Sequence, residues 1–334
     1  MLFRTKPSAG FMGVNMTDPV PLVSIGLTCY NAHETILRAL NSALNQDWKN
    51  IEVIVVDDMS SDGSADLVAN VISDEPRARL IRHDTNMGPA GARQSILEVA
   101  KGEFLAFFDD DDESAPERIR IQLDRLENYE RASGAALVAC YASGERRYDN
   151  GYVVELEAIG SQSGAEPHGP SVADYLLLYR RNPDWFYGVG TPTCALFARR
   201  RTFEKVGGFD ARLRRVEDAD FAIRLGLLGG HFIGTQEKLF VQHATSAEDK
   251  SPEKNLEAEN FLAEKHRAYL DSIGGYYYAV HWQKLRYWHF KRRYAMFLIE
   301  LIGLLIHRPV YTVKHLLDTG PRRLKHEINM KRKA

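Results

Sequence analysis

Cysteine is scarce in this chain, with three among 334 residues, and Cys29, Cys140 and Cys194 stand far apart without metal-ligand spacing. That excludes a disulfide framework and gives no sign of a zinc site, and it suits a reducing, cytoplasmic setting. Glycine-rich phosphate loops are also missing. No G-x-G-x-x-G follows the first predicted strand and no G-x-x-x-x-G-K-[ST] occurs anywhere, so dinucleotide and P-loop sites lose their physical basis. The longest strongly apolar run, Tyr294 to Ile306, has about 13 residues, short of the roughly 20 needed to cross a bilayer. The opening "MLFRTKPSAGFMGVNMTDPVP" lacks a sustained apolar stretch and carries Pro and Gly early. No secretory signal is expected there; residues 1–20 read as a flexible extension, with Met16 as an alternative start.

What is present is an ordinary globular composition, 44% hydrophobic with a formal net charge of −2. The balance conceals an asymmetry. Residues 284–334 hold 13 Lys+Arg against 3 Asp+Glu, which leaves the preceding part acidic.

From Leu22 onward short β-branched runs alternate with amphipathic ones. "LVSIGLT" reads as a strand, "HETILRALNSALNQ" as a helix with Ile36, Leu37, Leu40 and Leu44 on one face, and "IEVIVVDD" as a strand covered on both sides. "SSDGSADLVANVI", "ARLIRH", "PAGARQSILEVAKG" and "EFLAFF" continue the rhythm as helix, strand, helix and strand. Such repetition predicts an open, mostly parallel α/β sheet whose ligands sit beyond the carboxyl ends of the strands. Past residue 135 hairpin-like strands appear, then a strand near Thr193–Arg199, a helix in "VEDADFAIRLGLLG", and mainly helical sequence from 251 onward. Ser114 and Glu117 form a predicted capping box for the helix after the fourth strand.

Between that strand and helix stand five consecutive acids, "DDDDE", residues 109 to 113. Like charges this close are best tolerated around a cation, and Asp109 and Asp111, flanking one residue of an extended loop, can chelate one divalent ion while Asp110 points elsewhere. A solvated acid cluster or a helix-dipole complement is the alternative. The polar ends of the first two strands, Thr28, Tyr30 and Asn31 on one and Asp58 on the other, suit a base and a ribose. Each also reads as an ordinary turn or cap.

Four motifs in order, "VSIGLTCYN", "IEVIVVDDMSSDGS", "NMGPAGARQSILEVAKGEFLAFFDDDD" and "GGFDARLRRVEDADFAIRL", cover roughly residues 22 to 230 and resemble a family 2 glycosyltransferase with the GT-A fold. The resemblance implies a nucleotide-sugar donor, usually a UDP-sugar, with Mn²⁺ or Mg²⁺, and inversion at the anomeric carbon by direct displacement. It implies that Thr28, Tyr30 and Asp58 contact the nucleoside, with Arg93 a weaker candidate. Asp109 and Asp111 match the DXD motif, and Asp110 can share their role. Asp218 matches the catalytic base, with Glu217 or Asp220 as fallback; outside the resemblance these acids read as complements of a helix N-terminus. His243 is a candidate third metal ligand or a structural histidine. In "DWFYGVGTPTC", Trp185 or Tyr187 can stack on an acceptor sugar or pack in the core.

The expected organisation is an N-terminal extension (1–20), a GT-A catalytic domain (21–250) divided at about 135 into nucleotide-binding and acceptor-binding halves, and a helical basic region (251–334). That last region mixes Trp and Tyr with Lys and Arg around an apolar centre, which suits the headgroup layer of an anionic bilayer or a helical packing surface. The expected function is metal-dependent transfer of a sugar to a glycan or glycolipid of a bacterial surface, at the inner face of the membrane. A degenerate nucleotide-sugar-binding scaffold and a sugar nucleotidyltransferase are the rivals. The second is disfavoured because "TCYNAHET" has no basic, Gly-rich phosphate loop.

Overall fold

The computed structural model describes residues 20–244 and 251–332; the expected N-terminal extension lies outside them except for Val20. Strands β1 (Val23–Cys29), β2 (Ile51–Asp57), β3 (Ala78–Arg82) and β4 (Phe104–Phe108) pair in parallel in the order β3-β2-β1-β4. Between them come helices α1 (Ile36–Leu44), α2 (Ser64–Val71) and α3 (Gly88–Val99). The period-two rule explains the division of the core: Val53 and Val55 pack with Ile36, Leu40 and Val68 from α1 and α2, while Ile54 and Val56 pack with Ala90 and Ile96 from α3. Gly26 permits the close approach of α3, because a Cβ there would lie 2.5 Å from Ile96.

The second half is not parallel. The chain continues through β5 (Glu113–Ser114), α4 (Arg118–Ser133), β6 (Val138–Arg147), β7 (Val153–Leu156) and α5 (Pro170–Leu178). A 3₁₀ turn at Thr193–Ala195 then leads into β8 (Leu196–Arg199), α6 (Arg200–Val206), α7 (Glu217–Leu227) and β9 (His231–His243). β8 pairs antiparallel with both β4 and β6, and β9 runs parallel to β6 and antiparallel to β5, extending one nine-stranded mixed sheet. The predicted capping box does not form: Ser114 belongs to β5, the helix starts only at Arg118, and the Ser114 hydroxyl accepts from the Arg118 guanidinium at 2.9 Å. A buried strand edge on β9 captured the residues that local pattern assigned to the helix entry.

Helices α8 (Pro252–Lys265), α9 (Arg267–Ser272), α10 (Tyr276–Phe290), α11 (Tyr294–His307) and α12 (Pro309–Arg332) complete the fold. Leu262, Leu270, Tyr278, Trp282 and Leu304 join Ala173 and Leu177 of α5 and Ile223 of α7 in a third core. Beside it Asp220, fully buried, meets Lys265 Nζ at 2.8 Å, Arg224 Nη2 at 2.7 Å and His266 Nε2 at 2.9 Å. Burial would raise this carboxyl's pKa, but His266, Arg224 and Lys265 overcome it and hold the pKa at about 2. Asp220 is thereby committed to docking the C-terminal helices and is unsuited to the fallback role of proton acceptor. Asp220→Ala should lower folding stability by about 3 kcal/mol, since it removes the buried anion shared by Lys265, Arg224 and His266; a melting temperature equal to that of the native chain would contradict this.

Candidate active site

The carboxyl ends of β1, β2 and β4 open into a cavity of about 880 Å³ where the strand order reverses between β1 and β4. Thr28, Tyr30, Asn31, Asp58, Arg93, Asp109, Asp110 and Asp111 all line it, so the sequence candidates from three strand ends converge. Pattern reading missed Asn86, Gly88, Arg214 and Lys254, which line it too. Arg214 donates to the side chain and the carbonyl of Asn86 at 2.7 and 2.9 Å, tying the segment before α7 to the turn before α3. The Arg-rich run preceding "VEDADF" was the available signal.

Each strand end is fixed differently. Tyr30 keeps its ring exposed while its amide donates to Asp110 Oδ2 at 2.9 Å, which turns Asp110 toward β1. Burial and the charges of Asp111 and Asp109 push the Asp110 carboxyl up to about 8. Asn31 accepts from the Ser61 amide at 2.9 Å and donates its own amide to Ser60 Oγ at 2.9 Å. Asp58 borders the cavity, yet its carboxylate is engaged by the amides of Met87 (2.8 Å) and Gly88 (2.7 Å) and by the His83 ring (2.8 Å). Its visible work is to hold the turn into α3. Asn31, Met59 and Val216 all have left-handed backbone, φ 48°, 67° and 57°, immediately beside these functional positions.

The acid loop is a turn rather than an extended segment, closed by the Asp112 amide donating to the Asp109 carbonyl at 3.4 Å. A turn brings its first and fourth residues together. Hence a carboxylate oxygen of Asp109, one of Asp112 and the thiol of Cys194 lie within 4.8 Å of one another, the one such potential ligand group among the described residues. The expected ligands Asp109, Asp111 and His243 are not drawn into such a group, though Asp109 and Asp111 both line the cavity. His243 instead sits near Arg38, Glu113, Arg147 and Asp111; burial and the Arg38 charge lower its pKa, and its Nε2 is buried without a hydrogen bond. A divalent cation suits the loop on the structure's own terms: Asp112 Oδ2 is buried and unpartnered, and burial with the charges of Asp109 and Asp111 pushes that carboxyl up to about 8. The oxygens of Asp109 and Asp112 fit a hard ion; the Cys194 thiol, pushed well above its ordinary value by burial and by Asp109, does not.

Arg93 joins this loop to α7. Its guanidinium is buried, donating to Asp109 Oδ1 at 3.0 Å and to Glu217 Oε1. Asp218, next to Glu217 in the first turn of α7, has its pKa raised to about 6 by burial and the Glu217 charge, against the opposing pull of the Ala219 amide and Arg93. Glu217 is thus committed to Arg93, and Asp218 is the carboxyl poised near neutrality. Tyr187 is buried with Tyr175 at 4.3 Å between ring centroids, so it is core, and Trp185 packs on His168 at 4.6 Å. Arg93→Met should cost about 3 kcal/mol by leaving the buried Glu217 and the half-buried Asp109 unbridged. Glu217→Gln in the same background should recover part of it, and a double-mutant cycle by urea unfolding that returns no coupling would remove the bridge from this account.

The model of glycosyl transferase family 2 matches residues 24–207, more than half of the chain. The succinoglycan biosynthesis protein ExoO of Rhizobium meliloti is 42% identical over 120 residues, 36% of this chain and 33% of that protein. The amylovoran biosynthesis glycosyltransferase AmsB of Erwinia amylovora is 29% identical over 226 residues, 66% of this chain and 69% of that protein. WfaP of Escherichia coli, named as a UDP-Glc:alpha-D-GlcNAc-diphosphoundecaprenol beta-1,3-glucosyltransferase, is 42% identical over 106 residues, 32% of this chain and 41% of its own. Matched stretches span from 33% to 65% of the first three curated relatives. Residues 1–349 of S. aureus TarS, solved in complex with UDP-GlcNAc, superpose with a TM-score of 0.54 at 17% identity, covering 86% of this chain and 92% of that one, and share its fold. With the mixed sheet, the acid loop at the reversal of strand order and the four ordered motifs, these findings establish that the chain has a GT-A-type fold and belongs to glycosyl transferase family 2.

Proposed function

We propose that this protein is an inverting, metal-dependent glycosyltransferase that moves a sugar from a UDP-sugar to a hydroxyl of a glycan or lipid-linked acceptor in the building of a bacterial surface polysaccharide. The observation that carries the reading is the Asp109–Arg93–Glu217 bridge, which brings the acid loop of a nucleotide-sized cleft beside the near-neutral carboxyl of Asp218. The names of the relatives support the product class: ExoO is named for succinoglycan biosynthesis, AmsB for amylovoran biosynthesis, and WfaP for transfer from UDP-Glc onto a diphosphoundecaprenol-linked sugar. Work at the inner membrane surface is consistent with such acceptors. No helix among the described residues is long and apolar enough to cross a membrane.

In this reading the exposed Tyr30 ring stacks on the base, Thr28 and Asn31 offer polar contacts, and Asp58 holds the turn that shapes the pocket. Arg214 and Lys254 line the side from which a diphosphate's charge is met. Asp109 and Asp112, with Asp110 and Asp111 close by, are the residues that would hold Mn²⁺ or Mg²⁺. Such an ion supplies neutralisation of the charge that develops on the departing diphosphate. Asp218 accepts the proton of the acceptor hydroxyl as the oxygen attacks the anomeric carbon, and the bond from that carbon to the diphosphate breaks, releasing UDP with inversion. Glu217 is occupied by its contact with Arg93, which leaves Asp218 as the carboxyl offered to the acceptor.

Asp218→Asn should bind UDP with native affinity while UDP release in the presence of acceptor falls by at least about 10³-fold. Because the base must be ionised, the native rate should fall as pH drops through about 6. Normal turnover by the variant would end the assignment. Asp109→Asn should weaken Mn²⁺ binding, followed by calorimetry without donor, by about tenfold or more; unchanged binding would move the metal elsewhere.

A further inference from the structure

Helix α11 is apolar on nearly every side, but only one side is packed. Phe297, Leu301 and Leu304 face the neighbouring helices, and Glu300, on that side, pairs with His281 of α10 at 2.6 Å. Ala295, Ile299, Ile302 and Ile306 recur at the helical spacing of a second stripe, and it is open: Ile299 is 61% exposed and Ile306 76%. On α12 the exposed Val310, Val313, Leu317, Leu324 and Ile328 fall on one stripe that also includes Pro321 and is flanked by Lys314 and Lys325. The two stripes meet where Ile306 and Val310, 82% exposed, stand on either side of Arg308 and Pro309. Neither stripe contains an acidic residue. An open apolar face of this extent on a soluble fold marks a docking surface.

We propose that these two stripes seat the protein on an anionic lipid bilayer, lying in its plane. This rests on the membrane-surface reading above but not on the transfer chemistry. Length excludes spanning, since the 14 residues of α11 rise about 21 Å against a hydrocarbon thickness of about 30 Å. Charge decides between a bilayer and a second copy. With 13 Lys+Arg against 3 Asp+Glu in residues 284–334, two copies meeting through this face would oppose like excess charges, whereas acidic headgroups complement it. Lys314 and Lys325 beside the α12 stripe can lay their methylene stems along the apolar face and keep their ammonium groups at headgroup level. Arg292, Arg293 and the 61%-exposed Tyr294 mark the other end, an arrangement typical of the water–lipid boundary.

The test is co-sedimentation of the full chain with vesicles of phosphatidylcholine alone and of phosphatidylcholine mixed equally with phosphatidylglycerol. Partition should be at least about tenfold stronger into the mixed vesicles and should weaken with added salt. Ile302→Glu with Ile306→Glu should reduce it by about tenfold or more. Val153→Glu, at an exposed position on β7, should leave it unchanged. Partition of the double variant equal to native, or no preference for phosphatidylglycerol, overturns the proposal. So does a concentration-dependent dimer in light scattering that the same two substitutions abolish, without vesicle binding, since a second copy would then cover the face. UDP binding, measured by calorimetry without vesicles, reports on the donor site alone. A native chain that partitions but binds no UDP refutes the transfer reading and leaves the bilayer surface standing.

Discussion

Arg93 lies inside the protein between carboxylates that reach it from the acid loop after β4 and from the first turn of α7, separated by more than a hundred residues of sequence. A buried guanidinium without partners is prohibitive, and the buried Glu217 without a cation is equally so; half-buried Asp109 at the cavity wall completes the set. The consequence is positional. The parallel half of the sheet, which ends in the nucleotide-sized cleft, and the mixed half, which carries α7, are registered against one another by a planar fork whose two donors leave little freedom of angle. Asp218 inherits its place from that registration, and its raised pKa is the electrostatic by-product of sitting beside Glu217 away from water.

The acid loop poses the complementary problem. Five successive acids at a strand end would repel, yet the fold separates three of them: Asp109 turns to Arg93, Asp110 to the Tyr30 amide, and Glu113 to solvent. Asp112 is left buried with an unpartnered oxygen, and its proton affinity is correspondingly high. Burial and the neighbouring charges of Asp109 and Asp111 favour the protonated form of this carboxyl, and a nearby cation would favour the ionised one.

Much of this was legible in the sequence. The alternation of Val53 and Val55 with Ile54 and Val56, and the polar residues at three successive strand ends, were sufficient to predict a parallel sheet and a cleft beyond it. What escaped was set by tertiary geometry. That Asp112 comes close to Asp109 follows from the loop closing as a turn beside the pairing of Glu113 and Ser114 with β9, far along the chain. That Asp58 ends a strand is visible in the sequence, whereas the return of Met87 and Gly88 to its carboxylate is visible only in the fold. Arg93 lines the cavity as a candidate nucleotide contact, and the fold adds its bridge to Asp109 and Glu217, since a sequence does not name the partner of a buried charge. His243 shows the same limit in reverse: its position after a strand was visible, but the arginines around it were not.

The ion cluster on Asp220 bears on how short this polypeptide can be. Its carboxylate belongs to the helix that presents Asp218, while Lys265 and His266 come from the region that follows the sheet. Ending the polypeptide at β9 would leave an anion in apolar surroundings with only Arg224 beside it, and would uncover Ala173, Leu177 and Ile223. The helices that follow β9 therefore cover both this charge and this apolar surface, and a chain ending near residue 250 would expose them to water.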